Sequence, residues 1–500
     1  MFDNLLLGFS VSFQPYNILS CFLGVLIGQL IGILPGIGPV GAMSILLPVT
    51  FYLNPISAII MFSGIYYGAQ YGGSITSILL NIPGEATTVM TCLDGYQMAR
   101  KGRAGPALGI SAFGSFIAGT LGIFGLIFLS RPLSEFGLLL GTPDYFSLIV
   151  FGIILTAYLG TGSLLKALIS MVLGLWVGTI GMDVATSTPR FSFGSSTLLD
   201  GVGLVPIAMG LFGVGEVLIN VEQSMKQEIH QGSVKNLLPS IQDWLSSIGA
   251  IIRGSLMGFF LGILPGGGAL LASFFAYGLE KKISKHPEKF GTGVIEGVAA
   301  PESANNAGAQ GAFIPLLTLG IPSNVIMAMV LGALTIHGLK PGPLLISQNP
   351  DLFWGVITSM YLGNILLLIF NIPMIAIWVK ILKIPYYVLY PLILLFCVVG
   401  VYTLNNNEVE IYILILFGGL GYVFRKVGFD LATFIIALVL GPMLEENFRH
   451  ALVLAGGKIS VFFTRPISLT FLLITFFLLG VSGFKFVKKK LEGEPEVSGD

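Results

Sequence analysis

Charged residues are scarce in this sequence. Only 10% of its 500 residues are Asp, Glu, Lys or Arg, and 25 basic residues balance 25 acidic ones, so the formal net charge is zero. A soluble domain carries about 25% charged residues, and a nucleic-acid-binding domain carries a basic excess. The composition therefore excludes an ordinary soluble domain and gives no electrostatic support for nucleic acid binding.

Sequence motifs for enzymes and metal sites are also missing. The three cysteines, Cys21, Cys92 and Cys397, form neither a zinc spacing nor a disulfide framework. There is no Gly-x-x-x-x-Gly-Lys-Ser/Thr phosphate loop and no Gly-x-Ser-x-Gly elbow. The histidines are scattered at His230, His286, His337 and His450. We therefore expect no enzymatic activity, no metal centre and no cofactor apart from a coupling ion.

Apolar residues dominate instead. They make up 54% of the chain, the mean hydropathy is +0.89, and runs long enough to cross a bilayer recur from Asn17 to near Val487. The pattern predicts an all-α polytopic membrane protein with about ten to twelve transmembrane helices. The 66 glycines and 26 prolines are spread through these runs, which is typical of close helix packing and broken helices.

One five-residue motif occurs twice. Gly-Ile-Leu-Pro-Gly stands at 32–36 and again at 262–266, each time inside an apolar run. Proline removes a backbone donor and clashes with the preceding helical turn, and glycine tolerates the bent backbone. A single copy is equally compatible with a kinked packing helix. Two copies at corresponding positions predict the broken or re-entrant helices that form the binding sites of secondary transporters.

Further landmarks repeat in the same order. Gly68-Ala69-Gln70 returns at 308–310, Ile82-Pro83 at 321–322, and Gly105-Pro106 at 342–343. We therefore divide the chain into a first repeat half at 1–220, a polar connector at 221–247, a second half at 248–487, and a basic-then-acidic cytoplasmic tail at 488–500. The basic loops at 100–103 and 280–290 follow non-equivalent segments. Because cytoplasmic loops are enriched in Lys and Arg, this predicts that the two repeats have inverted topology.

Polar side chains form two stripes in these apolar segments. If each segment is helical, the spacings place one stripe on one face at Gln70, Ser74, Ser77 and Asn81, and the other at Glu302, Asn306 and Gln310 beside Ser303 and Asn305. A carboxylate within the bilayer normally faces a cavity or a partner. Alternatively, Glu302 caps a helix start next to Pro301. Glu85 and Asp94 are weaker candidates.

The breaks and stripes together predict substrate and ion binding. Helix N-termini at the breaks, including Gly36 and Gly266, could bind a carboxylate through backbone donors. Carbonyl and hydroxyl oxygens freed by the prolines could bind Na⁺ near Pro35, Pro83, Pro265 and Pro322. Lys166 and Arg190 could neutralise substrate charge, but loop residues near a membrane face are more often topological. These features indicate a cation-coupled anion carrier.

The motifs resemble those of a known family. Gly-Ile-Leu-Pro-Gly-Ile-Gly-Pro at 32–39, Tyr-Gly-Ala-Gln-Tyr-Gly-Gly-Ser at 67–74, Asp-Gly-Tyr-Gln-Met-Ala at 94–99 and Pro-Glu-Ser-Ala-Asn-Asn at 301–306 are similar to the large membrane subunit, TctA type, of the tripartite tricarboxylate transporters. The resemblance covers nearly the whole chain.

The resemblance implies a multi-pass protein of the bacterial inner (cytoplasmic) membrane. Its partners would be a small membrane subunit of the TctB type and a periplasmic solute-binding protein of the TctC type. A Na⁺ or proton gradient, and not ATP, would drive uptake of citrate or another carboxylate. An anion channel and a membrane-embedded enzyme acting on a lipid-linked substrate are the alternatives.

Overall fold

The computed structural model describes residues 2–34, 38–160, 163–183, 186–222, 237–266, 268–381 and 386–491, with the backbone alone at 386–388, 404 and 482–491. Pro35 and Gly36, most of the predicted connector (223–236) and residues 492–500 of the predicted tail lie outside the described residues.

Helices account for nearly all the described chain. In order they are α1 (Phe2–Ser12), α2 (Pro15–Ile33), α3 (Gly38–Thr50), α4 (Pro55–Leu80), α5 (Val89–Arg100), α6 (Ala104–Leu139), α7 (Thr142–Leu159), α8 (Leu164–Gly178), α9 (Leu204–Ala208), α10 (Gly215–Glu222), α11 (Ile241–Ile263), α12 (Gly268–Ile283), α13 (Glu296–Leu319), α14 (Val325–Ile336), α15 (Leu345–Gln348), α16 (Pro350–Asn371), α17 (Ile375–Ile381), α18 (Tyr386–Asn405), α19 (Glu408–Val427), α20 (Leu431–Leu454), α21 (Val461–Thr464) and α22 (Pro466–Leu491).

Other regular structure in the described residues is short. Single 3₁₀ turns occupy Ala86–Thr88, Thr197–Asp200 and Pro287–Lys289, and a π-helical turn joins α9 to α10 at Met209–Val214. The strands β1 (Gly181–Met182) and β2 (Pro189–Arg190) form an antiparallel pair in which Gly181 faces Arg190. Seven helical segments of the described residues are long and apolar enough to cross a membrane, when α9, the π-helical turn and α10 are counted as one. The predicted all-α polytopic membrane fold is confirmed.

The chain forms two compact units that do not follow the predicted sequence halves. The first contains residues 1–134, 205–264 and 268–422, and the second contains 135–204, 265–267 and 423–500. Both Gly-Ile-Leu-Pro-Gly helices, α2 and α11, therefore lie in the first unit. The predicted halves and their inverted topology describe a repeat in the sequence, and they stay a prediction.

The predicted helix interruptions are present. Helix α2 ends at Ile33 and α3 begins at Gly38, while α11 ends at Ile263 and α12 begins at Gly268. The Ile-Pro motifs also end helices, because α4 stops at Leu80 and α13 stops at Leu319. At the N-terminus of α11, residues 241–247 of the predicted connector belong to the helix itself, which Ser240 caps by accepting from the backbone N–H of Asp243 at 3.2 Å.

Two helix pairs of the first unit pack through glycine. Glycines recur at every fourth position along the contact faces of α2 and α11, and a Cβ atom there would collide with backbone of the facing helix. On α2 the contacts are Gly24 with Met61, Gly28 with Ile65 and Gly32 with Ala69; on α11 they are Gly254 with Ala300, Gly258 with Ala304 and Gly262 with Gly308. Small residues at this spacing let two backbones approach closely. Helix α4 therefore packs against α2 in the same way as α13 packs against α11.

The glycine contacts also fix how the two repeats correspond. Gly72 lies against the carbonyl oxygen of Gln29, and Gly311 lies against that of Phe259. Gln29 and Phe259 occupy the same place relative to their own Gly-Ile-Leu-Pro-Gly motifs. Gly72 therefore corresponds to Gly311, and Gln70 corresponds to Ala309. Alignment of the two Gly-Ala-Gln motifs would instead match Gln70 with Gln310, one residue further along.

Helices α4 and α13 are deeply enclosed elements of the first unit. All residues of α4 from Ser57 to Leu80 are buried, and so are all residues of α13 from Gly297 to Thr318. Since both helices carry the predicted polar stripes, their side chains must satisfy one another or a bound ligand within the protein.

Candidate functional site

The carboxylate of Glu302 lies inside the first unit with no exposed surface. Ser74 Oγ, on α4, donates to Glu302 Oε2 at 2.5 Å. Thr91 Oγ1, on α5, donates to Oε1, and Ser111 Oγ, on α6, donates to Oε2 at 3.2 Å. Three other helices thus each contribute one hydroxyl group to the carboxylate, and the two predicted stripes meet through the Ser74–Glu302 hydrogen bond.

Asn306 extends this site by one helical turn. Its Nδ2 atom is within hydrogen-bonding distance of Ser115 Oγ at 2.8 Å, of the Glu302 carbonyl oxygen at 3.0 Å and of Asn305 Oδ1 at 2.5 Å. Asn306 therefore ties α13 to α6 directly beside Glu302.

Several buried polar atoms in the stripes have no hydrogen-bond partner. Both side-chain polar atoms of Gln70 are unpartnered, as are Ser303 Oγ and Gln310 Oε1, and none of these residues is more than 3% exposed. A buried unsatisfied donor or acceptor costs about 1–3 kcal/mol. Such groups mark a place where a ligand or ordered water completes the hydrogen bonding.

Helix α6 passes close to the α13 stripe through glycine. A Cβ atom at Gly114 would lie 3.1 Å from Ser303 Oγ, and one at Gly122 would lie 2.7 Å from Gln310 Cβ. The missing side chains allow α6 to bring Ser111 and Ser115 within reach of Glu302 and Asn306. Thus α6 forms one wall of the site.

The carboxyl group of the site has no basic partner. Among the described residues, the ion pairs of Asp and Glu with Lys, Arg or His do not include Glu302. Glu85, in the turn after α4, adds a second carboxyl group whose buried Oε2 atom is unpartnered. The groups available to a cation here are carboxylate, hydroxyl and amide oxygens, which suit hard cations.

Other predicted site residues lie elsewhere or have local partners. Ser77 Oγ is within 2.9 Å of both Thr88 Oγ1 and the Gly73 carbonyl oxygen. Asn81 is exposed and has a left-handed conformation, with φ of 58°, at the C-terminus of α4. That conformation is one that Asn tolerates at a helix end. Gly266, with φ of 100°, lies against Thr156 in the second unit.

The prolines of the predicted Na⁺ sites are also divided between the two units. Pro83 lies in the turn after α4 and Pro322 in the turn after α13, both in the first unit, and Pro265 belongs to the second unit.

Asp94 has a structural role. It lies within helix α5, is fully buried, and accepts hydrogen bonds from Tyr277 Oη at 2.8 Å and from three backbone N–H groups at 2.7–3.0 Å, those of Gly291, Gly293 and Val294. These bonds anchor the turn that leads into α13, so Asp94 positions the helix that carries Glu302.

The two basic candidates of the second unit are occupied by other groups. Lys166 Nζ donates to the carbonyl oxygen of Val427 at 2.6 Å. Arg190 pairs with Glu445 at 2.8 Å and with Asp183 at 3.4 Å, and its hydrogen bond to Glu445 raises the pKa of the guanidinium group. Both side chains therefore stabilise the unit that contains them.

Sequence patterns missed the hydroxyl groups that complete the site. Thr91, Ser111 and Ser115 belong to α5 and α6 and come near Glu302 only through tertiary packing. One available signal was the spacing of Ser111 and Ser115, four residues apart in an apolar helix and flanking Gly114.

Comparisons with known proteins find one family and two relatives. The family model described as the tripartite tricarboxylate transporter TctA family matches residues 18–436. An uncharacterized 52.8 kDa protein in the TAR-I ttuC' 3' region of Agrobacterium vitis is 49% identical over 474 residues, which cover 95% of this chain and 94% of that protein. An uncharacterized protein in the TAR-II ttuC' 3' region of the same organism is 52% identical over 215 residues, 43% of this chain and 89% of that protein. No solved structure matches.

Proposed function

The chain belongs to the tripartite tricarboxylate transporter TctA family, and we propose that it imports a carboxylate, citrate or a related one, using a Na⁺ or proton gradient. The observation that carries this proposal is the set of unpartnered buried amides beside a buried carboxylate that lacks a basic partner.

The amides suit an anionic substrate. The side-chain amide of Gln70 offers two N–H donors, and a carboxylate accepts several such hydrogen bonds. Gln70 lies one helical turn before Ser74, so a substrate bound to Gln70 would lie close to the Glu302 site. An anion bound there would accept hydrogen bonds from the Gln70 side-chain N–H donors, which have no partner within the protein.

The buried charge supports coupling to a cation. Glu302 and an anionic substrate would repel each other strongly in a medium of low dielectric constant. A cation or proton that neutralises Glu302 removes this repulsion. Binding of the anion and of the coupling ion would therefore favour each other, which is the thermodynamic requirement for symport.

The family also supports the assembly. We propose that the chain works in the bacterial inner membrane with a small membrane subunit of the TctB type and a periplasmic solute-binding protein of the TctC type. The binding protein would deliver the carboxylate to the membrane subunits. Interrupted helices α2/α3 and α11/α12 supply the structural elements around which alternating access is built in other secondary transporters.

Uptake into membrane vesicles tests the proposal. Vesicles that contain this chain with its small subunit and binding protein receive labelled citrate or another carboxylate, with an imposed Na⁺ gradient, an imposed proton gradient or neither. We expect accumulation above equilibrium with a gradient. Equilibration that no gradient changes would indicate a channel and contradict the proposal, as would the absence of uptake for all carboxylates.

A further inference from the structure

We propose that the coupling ion is a proton carried by Glu302, and that the hydroxyl group of Ser74 reorients when the proton arrives or leaves. This inference rests on the proposed function, since it names the ion that the carrier uses. It follows from the charge, the spacing of the oxygen atoms and the number of hydrogen atoms at the site.

The charge must be neutralised at some stage of transport. Glu302 is fully buried between helices of the first unit, and the hydroxyl groups of Ser74, Thr91 and Ser111 donate to it. Burial in a medium of low dielectric constant penalises an ionised carboxylate that has no cation beside it. Three hydroxyl donors reduce this cost but leave the net charge.

The spacing of the oxygen atoms suits a proton. Ser74 Oγ and Glu302 Oε2 are 2.5 Å apart, which lies within the range of O–H···O hydrogen bonds that involve a charged oxygen. A proton that binds to Glu302 Oε2 can be held in this hydrogen bond.

Ser74 can satisfy Glu302 in both protonation states. Its Oγ atom is within reach of two acceptors, Glu302 Oε2 and the Gln70 carbonyl oxygen at 3.0 Å, but it has a single hydrogen. With Glu302 ionised, Ser74 donates to Oε2. When a proton binds to Oε2, the new O–H donates to Ser74 Oγ, and the hydroxyl hydrogen of Ser74 rotates to the Gln70 carbonyl oxygen. Thr91 and Ser111 remain donors in both states.

The helices that pack against α13 and the turn after α4 carry other ionisable groups, which need controls. Helices α4, α5, α11 and α12 and the turn after α4 contribute Tyr71, Cys92, Asp94, Arg253, Glu280, Tyr277 and Glu85. Of these, Asp94 is held by Tyr277 and backbone N–H groups, and Arg253 is paired with Glu280 at 2.6 Å. Glu85 keeps an unpartnered buried oxygen, so it is the group that an experiment must distinguish from Glu302.

Infrared difference spectroscopy tests the proposal without transport. The full chain, reconstituted in lipid and free of Na⁺, is titrated with acid and base while the carbonyl stretch of protonated carboxyl groups is recorded. We expect a band that titrates in the wild type, is absent in Glu302→Gln, persists in Glu85→Gln and shifts in frequency in Ser74→Ala. Ser63→Ala is the matched control, because Ser63 is a buried serine of α4 that donates to the Ile59 carbonyl oxygen; its band should stay in place.

Three results would overturn the proposal. These are a wild type with no titrating band, a band that persists unchanged in a folded Glu302→Gln protein, and loss of the band when Na⁺ is added at constant pH. Should Glu302→Gln fail to fold, an unshifted band in Ser74→Ala would overturn it instead. A titrating band in a protein that takes up no carboxylate would contradict the proposed function but not the proton site. Na⁺-driven uptake without the band would contradict the proton as coupling ion but not the carrier function.

Discussion

The carbonyl oxygen of Gly32 lies directly against Gly84, where a side chain would collide with it. Gly32 is in the last turn of α2, and Gly84 lies in the turn that follows α4. The last turn of α2 and the turn after α4 therefore meet. Non-helical backbone at membrane depth is tolerated only where protein or a water-filled cavity covers it, and this contact provides such cover.

Substitution of Gly84 by alanine should destabilise the protein. The new methyl group would meet backbone of α2 and also Thr76 Oγ1 at 2.5 Å, and overpacking of this kind costs about 1–3 kcal/mol. Gly278→Ala is the control, because a Cβ atom at Gly278 has no neighbour within 4 Å. Thermal unfolding of the detergent-solubilised variants would measure the difference; equal midpoints for Gly84→Ala and Gly278→Ala would show that the contact does not constrain the fold.

Loss of the Asp94 charge should loosen the turn before α13. In the wild type, backbone N–H groups and the Tyr277 hydroxyl donate to the Asp94 carboxylate. In Asp94→Asn, one of its oxygens becomes an NH₂ group, which cannot accept these hydrogen bonds. Hydrogen bonds to charged groups contribute about 1.5–3 kcal/mol each, so hydrogen exchange at the Gly291 and Gly293 amides should accelerate about tenfold or more in this variant.

The exposed Asp351 supplies the control for this experiment. Asp351→Asn should leave exchange at Gly291 and Gly293 at the wild-type rate. Unchanged exchange in Asp94→Asn would mean that the turn is held by contacts other than the carboxylate.

An ion pair of the second unit should contribute measurably to stability. Asp144 is fully buried, and Arg465 reaches its Oδ2 atom at 2.7 Å with a side chain that is 44% exposed. Hydrogen bonding to Asp144 raises the pKa of Arg465. Arg465→Gln leaves the carboxylate with weaker donors and should cost about 1–2 kcal/mol after allowance for solvent screening.

Chemical denaturation of Arg465→Gln beside Lys458→Gln would measure this contribution. Lys458 is exposed, and removal of its charge should have little effect. Equal stability of the two variants would contradict the role assigned to the Arg465–Asp144 pair.

The sequence allowed the helix interruptions and part of the site to be predicted. Proline between glycines has a local effect on the backbone, so the ends of α2 and α11 could be located from the motif alone. The spacing of Ser74 and of Glu302 within their own segments likewise identified the faces that meet.

The other contacts of the site depend on tertiary packing, which the sequence patterns do not show. Thr91 and Ser111 reach Glu302 because α5 and α6 pack against α13. The spacing of Ser111 and Ser115 indicates a polar face of α6 but not the helix that this face contacts. The structural role of Asp94 could not be predicted, because its partners lie about two hundred positions further along the chain. Asn81 followed the polar spacing but lies beyond the helix end, where a left-handed backbone accounts for it.

The most direct test of the central claim is the initial rate of gradient-driven carboxylate uptake by Glu302→Gln and Asn306→Ala in vesicles with the partner subunits. The amount of each variant in the membrane is measured in parallel, and Ser63→Ala serves as the matched control. Because Glu302 and Asn306 join α13 to the hydroxyl groups of α4, α5 and α6, we expect both variants to insert normally and to lose uptake, with Ser63→Ala close to the wild type. Wild-type uptake in either variant would remove that residue from the transport site and contradict the account.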